Sequence, residues 1–136
     1  MLTARVVGGQ PAECRDAPWS LLREALEQGD SDAISALVGE GGVSLSVDGI
    51  APGSYTAAQA ERLLGEFFRA TSARRLDYRA CGVSGEAGWA EAVLRYRRAG
   101  TDIETREHLL LEFDDVDGDA VLSGIRSSSP SSSKAP

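Results

Sequence analysis

Apolar positions between Thr56 and Thr71 recur at helical spacing and predict the central helix of the chain. Thr56 and Gln59 form a capping-box pattern, in which each side chain bonds a backbone N–H group of the first turn. Apolar residues fall three and four positions apart on one face, and charged residues occupy the other. Phe67 and Phe68 stand near the end of this helix. The rest of the fold must therefore supply an apolar surface for two aromatic rings.

Two shorter helices are predicted ahead of the central one. The first has Asp16 as its cap and Pro18 in its first turn, and Gly29 ends it in the left-handed conformation. Asp30 then caps the second helix. The apolar sides of the two helices are Trp19, Leu22, Ala25 and Leu26 in the first, and Ile34, Leu37 and Val38 in the second.

After Thr71 the hydrophobic period changes from helical to two, which indicates strands. The predicted strands cover about 75–83, 89–98, 101–115 and 119–126, with a short first strand at 43–47 and a turn at 48–53. Short glycine-bearing turns make the last four an antiparallel meander. The predicted fold class is α+β, with three helices packed on this curved four-stranded meander and the short first strand beside it.

The turn at Ala99 and Gly100 predicts how two of these strands pair. A two-residue hairpin loop places Arg98 opposite Thr101. One face then pairs Tyr96 with Ile103, Leu94 with Thr105, Ala92 with Glu107 and Ala90 with Leu109. The other face pairs Arg97 with Asp102, Arg95 with Glu104 and Glu91 with His108. The first face is largely apolar and the second is charge-complementary, as an amphipathic sheet requires.

The next turn, at 116–118, is predicted as a three-residue loop with Gly118 in the left-handed position. That loop adds further residues to the apolar face. They are Val121 and Ile125, beside Leu109 and Phe113, with Leu76 and Tyr78 joining from the first long strand.

Two features follow from this register. Glu107 is the carboxylate that the pattern directs toward the helix-covered interior. On the opposite face Trp89, Val93 and Leu110 form an apolar spot among charged residues, and such patches often mark a partner surface. We therefore expect these three residues to form a dimer interface.

Composition excludes several classes of protein. The 136 residues suit one domain, which we place at 16–126, with a flexible arm at 1–15 and a disordered Ser/Pro tail at 127–136. The net charge of −7 disfavours nucleic-acid binding, and no apolar run is long enough to cross a membrane. The first residues lack a secretory-signal pattern, so the expected location is the cytoplasm. Cys14 and Cys81 are accordingly expected to be free thiols, with a disulfide as the less favoured alternative.

The order of elements resembles the nuclear-transport-factor-2-like alpha-beta cone, the superfamily that includes SnoaL-like proteins and ketosteroid isomerase. The stretches SLSVDG and GSYTAAQAERLLGEFF, followed by the terminal hairpin, more narrowly resemble a bacterial family, domain of unknown function 4783. The resemblance implies a pocket between the central helix and the concave sheet, and often a dimer through the sheet. It implies no particular activity, because this fold carries enzymes, ligand binders and scaffolds.

Candidate chemistry is sparse. Glu107 is the one weak catalytic candidate, as a general base with a raised pKa, and the alternative is that it reaches the cone mouth or pairs with Arg79 or Arg126. The single histidine, His108, is assigned to the outer face, and Asp48 to a turn. The predicted ligand pocket comprises Tyr55, Leu64, Phe67, Phe68, Tyr78, Leu94, Tyr96, Glu107 and Leu109, and for the three tyrosines amphipathic core packing is the more common alternative. The DDVDGD stretch is interpreted as a hairpin turn, and we expect no metal and no cofactor.

Three functional hypotheses follow from these residues. The first is a non-catalytic cone domain that forms a homodimer and holds a small apolar or amphipathic ligand. The second is a small isomerase, hydrolase or cyclase that uses Glu107 as its acid or base. The third is a structural or protein-interaction module whose cone is filled by its own side chains.

Overall fold

The computed structural model describes residues 12–85, 87–116 and 118–127. In these residues a short 3-10 turn precedes three helices and six strands. Their bounds are Ala12–Cys14 for the turn, then α1 Trp19–Gln28, α2 Ser31–Leu37, β1 Val43–Ser46, β2 Gly53–Tyr55, α3 Ala57–Arg69, β3 Thr71–Ser84, β4 Ala87–Arg98, β5 Glu104–Val116 and β6 Asp119–Ser127. The predicted α+β class is confirmed. Most of the predicted arm and nearly all of the predicted tail lie outside the described residues.

The capping signals in the sequence were correct for two of the three helices. In α3 the Thr56 N–H donates to Gln59 Oε1 at 2.9 Å, and the Gln59 N–H donates to Thr56 Oγ1 at 3.1 Å. In α2 Asp30 accepts a hydrogen bond from the Ala33 N–H at 3.0 Å. The Asp16 cap of α1 was a wrong prediction, because α1 begins only at Trp19 and its N-cap position has no side-chain cap.

The sheet has the order β2-β1-β6-β5-β4-β3. The long strands β3 to β6 form the predicted antiparallel meander, and β1 joins it through a parallel pairing with β6. The edge strand β2 was not predicted, because it has three residues and lies at the end of the segment assigned to a turn. The helices cover one face, where α3 buries Ala60, Leu64, Phe67 and Phe68.

The predicted pairing of β4 with β5 was wrong by two residues. Tyr96 lies opposite Thr105 instead of Ile103, and the other predicted pairs are displaced in the same way. The connection is longer than two residues, since the Thr101 N–H closes a turn on the Arg98 carbonyl at 3.0 Å and β5 begins only at Glu104. A shift of two preserves which side chains face inward, so the predicted apolar face is retained.

The shift removes every predicted charge pair between β4 and β5. Arg95 bonds Asp77 of β3 at 2.9 Å instead of Glu104, and His108 lies opposite Val93 instead of Glu91. Ile103, predicted to face inward, is 72% exposed.

The β5–β6 hairpin also departs from prediction at one position. Gly118 has the predicted positive φ of 88°, but Val116 pairs directly with Asp119 and a register irregularity follows at Glu112 and Phe113. As a result Leu122 points inward and is fully buried, where Val121 was expected. Ile125 lies on the apolar face as predicted.

The expectation of free thiols was wrong, because Cys14 and Cys81 form a disulfide across 67 residues of sequence. Cys14 is 3% exposed and ends the short 3-10 turn, so the last residues of the predicted arm are packed against β3. Neither spacing nor composition signals this pairing, since it depends on the arm lying along β3. None of the described helices is long and apolar enough to cross a membrane.

Candidate functional site

Four polar side chains gather at one end of the sheet, which we call the carboxylate end: Asp48, Tyr96, Arg98 and Glu107. Glu107 comes from β5 and points inward as predicted, and its residual exposure is 8%. The Tyr96 hydroxyl of β4 lies 3.2 Å from Glu107 Oε1. Among the described residues Glu107 is the one buried carboxylate.

The loop between β1 and β2 completes this end. The Asp48 N–H donates to Glu107 Oε2 at 2.8 Å, and Asp48 Oδ2 lies 3.4 Å from the Tyr96 hydroxyl. Asp48 also forms an ion pair with Arg98, which ends β4. The flanking side chains Val47 and Ile50 are buried, so the loop is anchored on both sides of Asp48.

These contacts set the protonation behaviour of the carboxylate end. Burial raises the pKa of Glu107, while the Tyr96 hydroxyl bond and the positive charge of Arg98 oppose that rise. Burial and the charge of Glu107 both raise the pKa of the Tyr96 hydroxyl. Since the hydroxyl has one proton, it donates to Glu107 or to Asp48 at any moment. The arrangement has the elements of an acid–base pair, and equally those of a satisfied structural bridge.

Aromatic rings close the interior beside Glu107. Phe67 meets Tyr96 edge to face, with ring centroids 5.2 Å apart. Phe68 packs edge to face on Phe67, with ring centroids 5.8 Å apart, and the Arg74 guanidinium lies over the Phe68 ring at 5.0 Å. Both phenylalanines are 7% exposed, so they fill space more than they line an opening.

The nine predicted pocket residues do not form one site. Glu107, Tyr96 and Phe67 come together, but the Tyr78 hydroxyl donates to the Trp19 carbonyl at 2.7 Å near the other end of the sheet. The Tyr55 hydroxyl donates to the carbonyl of Ala51 in the loop that precedes β2. The remaining three apolar residues of the prediction, Leu64, Leu94 and Leu109, are core side chains at 1% exposure. The three tyrosines therefore do not converge on one ligand position.

Four of the surface concavities bounded by described residues lie elsewhere. The largest of these four, about 590 Å³, lies between the loop after α2 and the β5–β6 hairpin, with Gly41, Ser44 and Val116 in its lining. The other three have volumes of about 420, 220 and 220 Å³. None of the four is lined by Glu107, Tyr96 or Phe67.

The predicted interface residues lie on the outer, helix-free face. Trp89 is partly exposed and lies against Gly82, where a β-carbon would meet the indole at 2.6 Å. Leu110 is also partly exposed, but Val93 is 3% exposed, since it lies between Asp77 and His108 on the neighbouring strands. Only Trp89 and Leu110 of the three predicted interface residues therefore offer apolar surface to a partner, and each is only partly exposed.

Sequence reasoning missed the contribution of Asp48 and Arg98. Asp48 was assigned to a turn, because Asp-Gly is a strong local turn signal and nothing near it in sequence indicates a distant partner. The proposed partners Arg79 and Arg126 do not contact Glu107; Arg126 bonds Glu112 at 2.8 Å. Within the described part of the chain, no three potential metal ligands gather in one place.

Solved structures share this fold. A DUF4783 family protein from Bacteroides uniformis ATCC 8492 has a TM-score of 0.67 at 19% identity, over 82% of this chain and 94% of that one. An LEH-like epoxide hydrolase from M. tuberculosis has a TM-score of 0.60 at 16% identity, over 79% and 75% of the two chains.

A third similar structure is a hypothetical protein with a ketosteroid isomerase-like fold from Catenulispora acidiphila DSM 44928, in complex with trimethylamine. Its TM-score is 0.66 at 11% identity, over 81% of this chain and 82% of that one. The chain thus has the nuclear-transport-factor-2-like cone fold, and its structural neighbours include DUF4783 proteins, as the resemblance in sequence indicated. No family model and no curated protein matches the chain.

Proposed function

We propose that this chain is a non-catalytic cone domain that forms a homodimer through the outer face of its sheet. The observation that carries the proposal is the state of Glu107. Both of its carboxylate oxygens lie within hydrogen-bond distance of groups of the protein itself, the Asp48 N–H and the Tyr96 hydroxyl. A carboxylate used in this way ties a loop to the sheet, and both of its oxygens already have a partner within the protein.

The packing around Glu107 supports the same conclusion. Phe67 and Tyr96 are in ring contact, and Tyr96 is fully buried. A cone interior occupied by its own side chains has little room for a ligand, so any function is expected to depend on its outer surfaces. The sheet face without helices carries Trp89 and Leu110, both partly exposed, and this is the surface that we assign to the partner copy.

Sedimentation equilibrium tests the dimer. We expect the wild-type chain to sediment at twice its mass of 14.3 kDa, and Trp89→Asp to shift the equilibrium to monomer because a charge would be buried in the interface. Leu110→Asp is a second variant at the same face, in case Trp89→Asp disturbs packing on Gly82.

Leu21→Asp is the matched control, because Leu21 is 51% exposed on the helical side of the molecule. This substitution is expected to leave the sedimenting mass unchanged. A wild-type chain that is monomeric over the whole concentration range would rule out the dimer.

The second candidate function is an enzyme that uses Glu107 as its acid or base. It is favoured by one observation, the raised pKa of a buried carboxyl beside a tyrosine hydroxyl. In such an enzyme Glu107 must be accessible to a substrate, and therefore also to a small chemical reagent. In a filled interior this side chain is accessible to neither.

Coupling with a water-soluble carbodiimide and an amine, followed by peptide mapping, distinguishes the two functions. We expect Asp114, which is exposed on the same strand, to be modified in the native protein and Glu107 to stay unmodified until the protein is denatured. Modification of native Glu107 as fast as that of Asp114 would favour the enzyme and contradict the filled interior.

A further inference from the structure

The strand β3 is an edge of the sheet, and edge strands present unpaired backbone groups that invite unwanted pairing. Part of this edge is covered by α1. The Glu27 carboxylate accepts a hydrogen bond from the Leu76 N–H at 2.9 Å, and Arg74 Nε donates to the Leu26 carbonyl at 3.1 Å. The last turn of α1 is thereby attached to the first half of β3.

Two further attachments lie along the same strand. The Tyr78 hydroxyl donates to the Trp19 carbonyl at 2.7 Å in a buried position. Beyond it, Cys14 and Cys81 form the disulfide. These contacts come from the start of α1 and from the 3-10 turn that precedes it.

The attachments have a simple order. Arg74 and Leu76, in the first half of β3, contact the last turn of α1 at positions 26 and 27, whereas Tyr78 contacts position 19 and Cys81 contacts position 14. Segment 14–27 therefore lies antiparallel along the edge strand, and the disulfide is the outermost attachment and the one covalent bond in the series. The other attachments are hydrogen bonds that exchange with water when the segment lifts.

We infer that this chain folds and works in an oxidising compartment, where the Cys14–Cys81 disulfide is a redox-sensitive clasp that holds segment 14–27 along the β3 edge. The inference replaces the expected cytoplasmic location, since structural disulfides persist where thiols are not kept reduced. Bond formation takes two electrons and two protons from the thiols, and a disulfide oxidant such as oxidised glutathione accepts them and becomes two thiols.

Opening the clasp reverses this exchange. A dithiol reductant becomes a disulfide, Cys14 and Cys81 regain their protons, and the outer part of segment 14–27 is held only by hydrogen bonds and packing. The amides of β3 near Cys81 then become available to solvent or to another strand.

The first measurement is the thiol content of the full chain recovered from its own cells, with thiols alkylated at lysis and counted by mass spectrometry. We expect no alkylated cysteine before reduction and two after it. Two alkylated cysteines before reduction would overturn the inference.

The second measurement is hydrogen exchange of the oxidised and reduced wild-type protein at short labelling times. Peptides covering 12–28 and 74–84 are expected to exchange about tenfold faster after reduction, while β4–β5 peptides stay protected. No change in the first group, or equal loss of protection in both groups, would contradict a local clasp.

A Cys14→Ala/Cys81→Ala double variant controls for effects of the reductant itself. It is expected to show the fast pattern with and without reductant. If it shows the slow pattern of the oxidised wild type, the disulfide does not hold the segment.

Discussion

The two ends of the sheet are stabilised by different chemistry. At one end, which we call the disulfide end, Cys14 and Cys81 are covalently joined, and Trp19 packs edge to face on both Tyr78 and Phe113, with ring centroids 5.8 and 5.0 Å apart. At the carboxylate end a loop is held by hydrogen bonds to a buried Glu107 and by an exposed ion pair.

The stability of the two ends is expected to depend on different solution conditions. The disulfide end depends on the redox state of Cys14 and Cys81. The carboxylate end depends on the protonation state of Glu107, which is set by its burial, by the Tyr96 hydroxyl and by the charge of Arg98. One fold therefore combines a redox-dependent end with an end that holds a buried carboxyl group, and mutations at the two ends are expected to respond to different variables.

Removal of the disulfide is expected to have the largest effect. The Cys14→Ser/Cys81→Ser variant frees a loop of 67 residues in the unfolded chain, which lowers the free energy of unfolding by on the order of 4 kcal/mol. Urea denaturation at constant pH measures it. The loss is expected to be the same at pH 5 and pH 8; a pH-dependent loss would contradict the separation of the two ends.

The next effect is expected from Tyr78→Phe. Loss of the hydroxyl leaves the buried Trp19 carbonyl without its 2.7 Å bond, at a cost of about 1–3 kcal/mol. Tyr55→Phe is the matched control, because the Tyr55 bond to Ala51 is exposed to water, and its cost is expected to be below about 1 kcal/mol. Equal losses for the two variants would show that burial at Tyr78 contributes little.

Glu107→Gln tests the ionisable end through its pH dependence. Because burial raises the pKa of Glu107 in the folded state above its ordinary value of 4.5, the folded protein binds the proton more tightly than the unfolded chain. The stabilisation from this proton is complete below pH 4.5 and is lost as pH rises through the raised pKa, at no more than about 1.4 kcal/mol per pH unit.

Glu107→Gln removes this contribution, so the wild type is expected to lose stability relative to the variant as pH rises. Glu112→Gln, on the outer face of the same strand, is the control and is expected to lack that trend. If the difference between wild type and Glu107→Gln has no slope with pH, the assignment of a raised pKa is incorrect.

The smallest effect is expected from Arg98→Ala. The Arg98 and Asp48 side chains are 48% and 45% exposed, and ion pairs at such positions contribute less than about 1 kcal/mol. The effect is expected to shrink further in high salt. Arg62→Ala, which breaks the exposed pair with Glu66, provides the comparison. A loss for Arg98→Ala well above that of Arg62→Ala would mean that the loop carrying Asp48 depends on this pair.

Local signals predicted much of the fold. The capping box at Thr56 and the helical period after it place α3 correctly, because both depend only on residues within a few positions of each other. The inward direction of Glu107 was also correct. This prediction held although the predicted strand register was wrong, because a shift of two residues leaves every side chain on the same face of the sheet.

Contacts between distant segments could not be predicted. Asp48 reaches Glu107 across 59 residues, and the disulfide joins positions 67 apart. Each contact exists because β1 pairs with β6 or because segment 14–27 lies along β3, and no spacing in the sequence specifies these neighbours. The length of the connection at 99–103 was missed for a related reason. The Ala99 N–H bonds the Ala70 carbonyl at the end of α3, and this contact exists only because β3 pairs with β4.

The sequence by itself determined the elements, the inward and outward faces and the presence of one inward carboxylate, because periodicity and capping act over a few residues. Only the tertiary structure decided what surrounds Glu107 and how the chain is closed at its other end. These outcomes depend on which strands become neighbours, and the packing of the complete apolar face determines that arrangement.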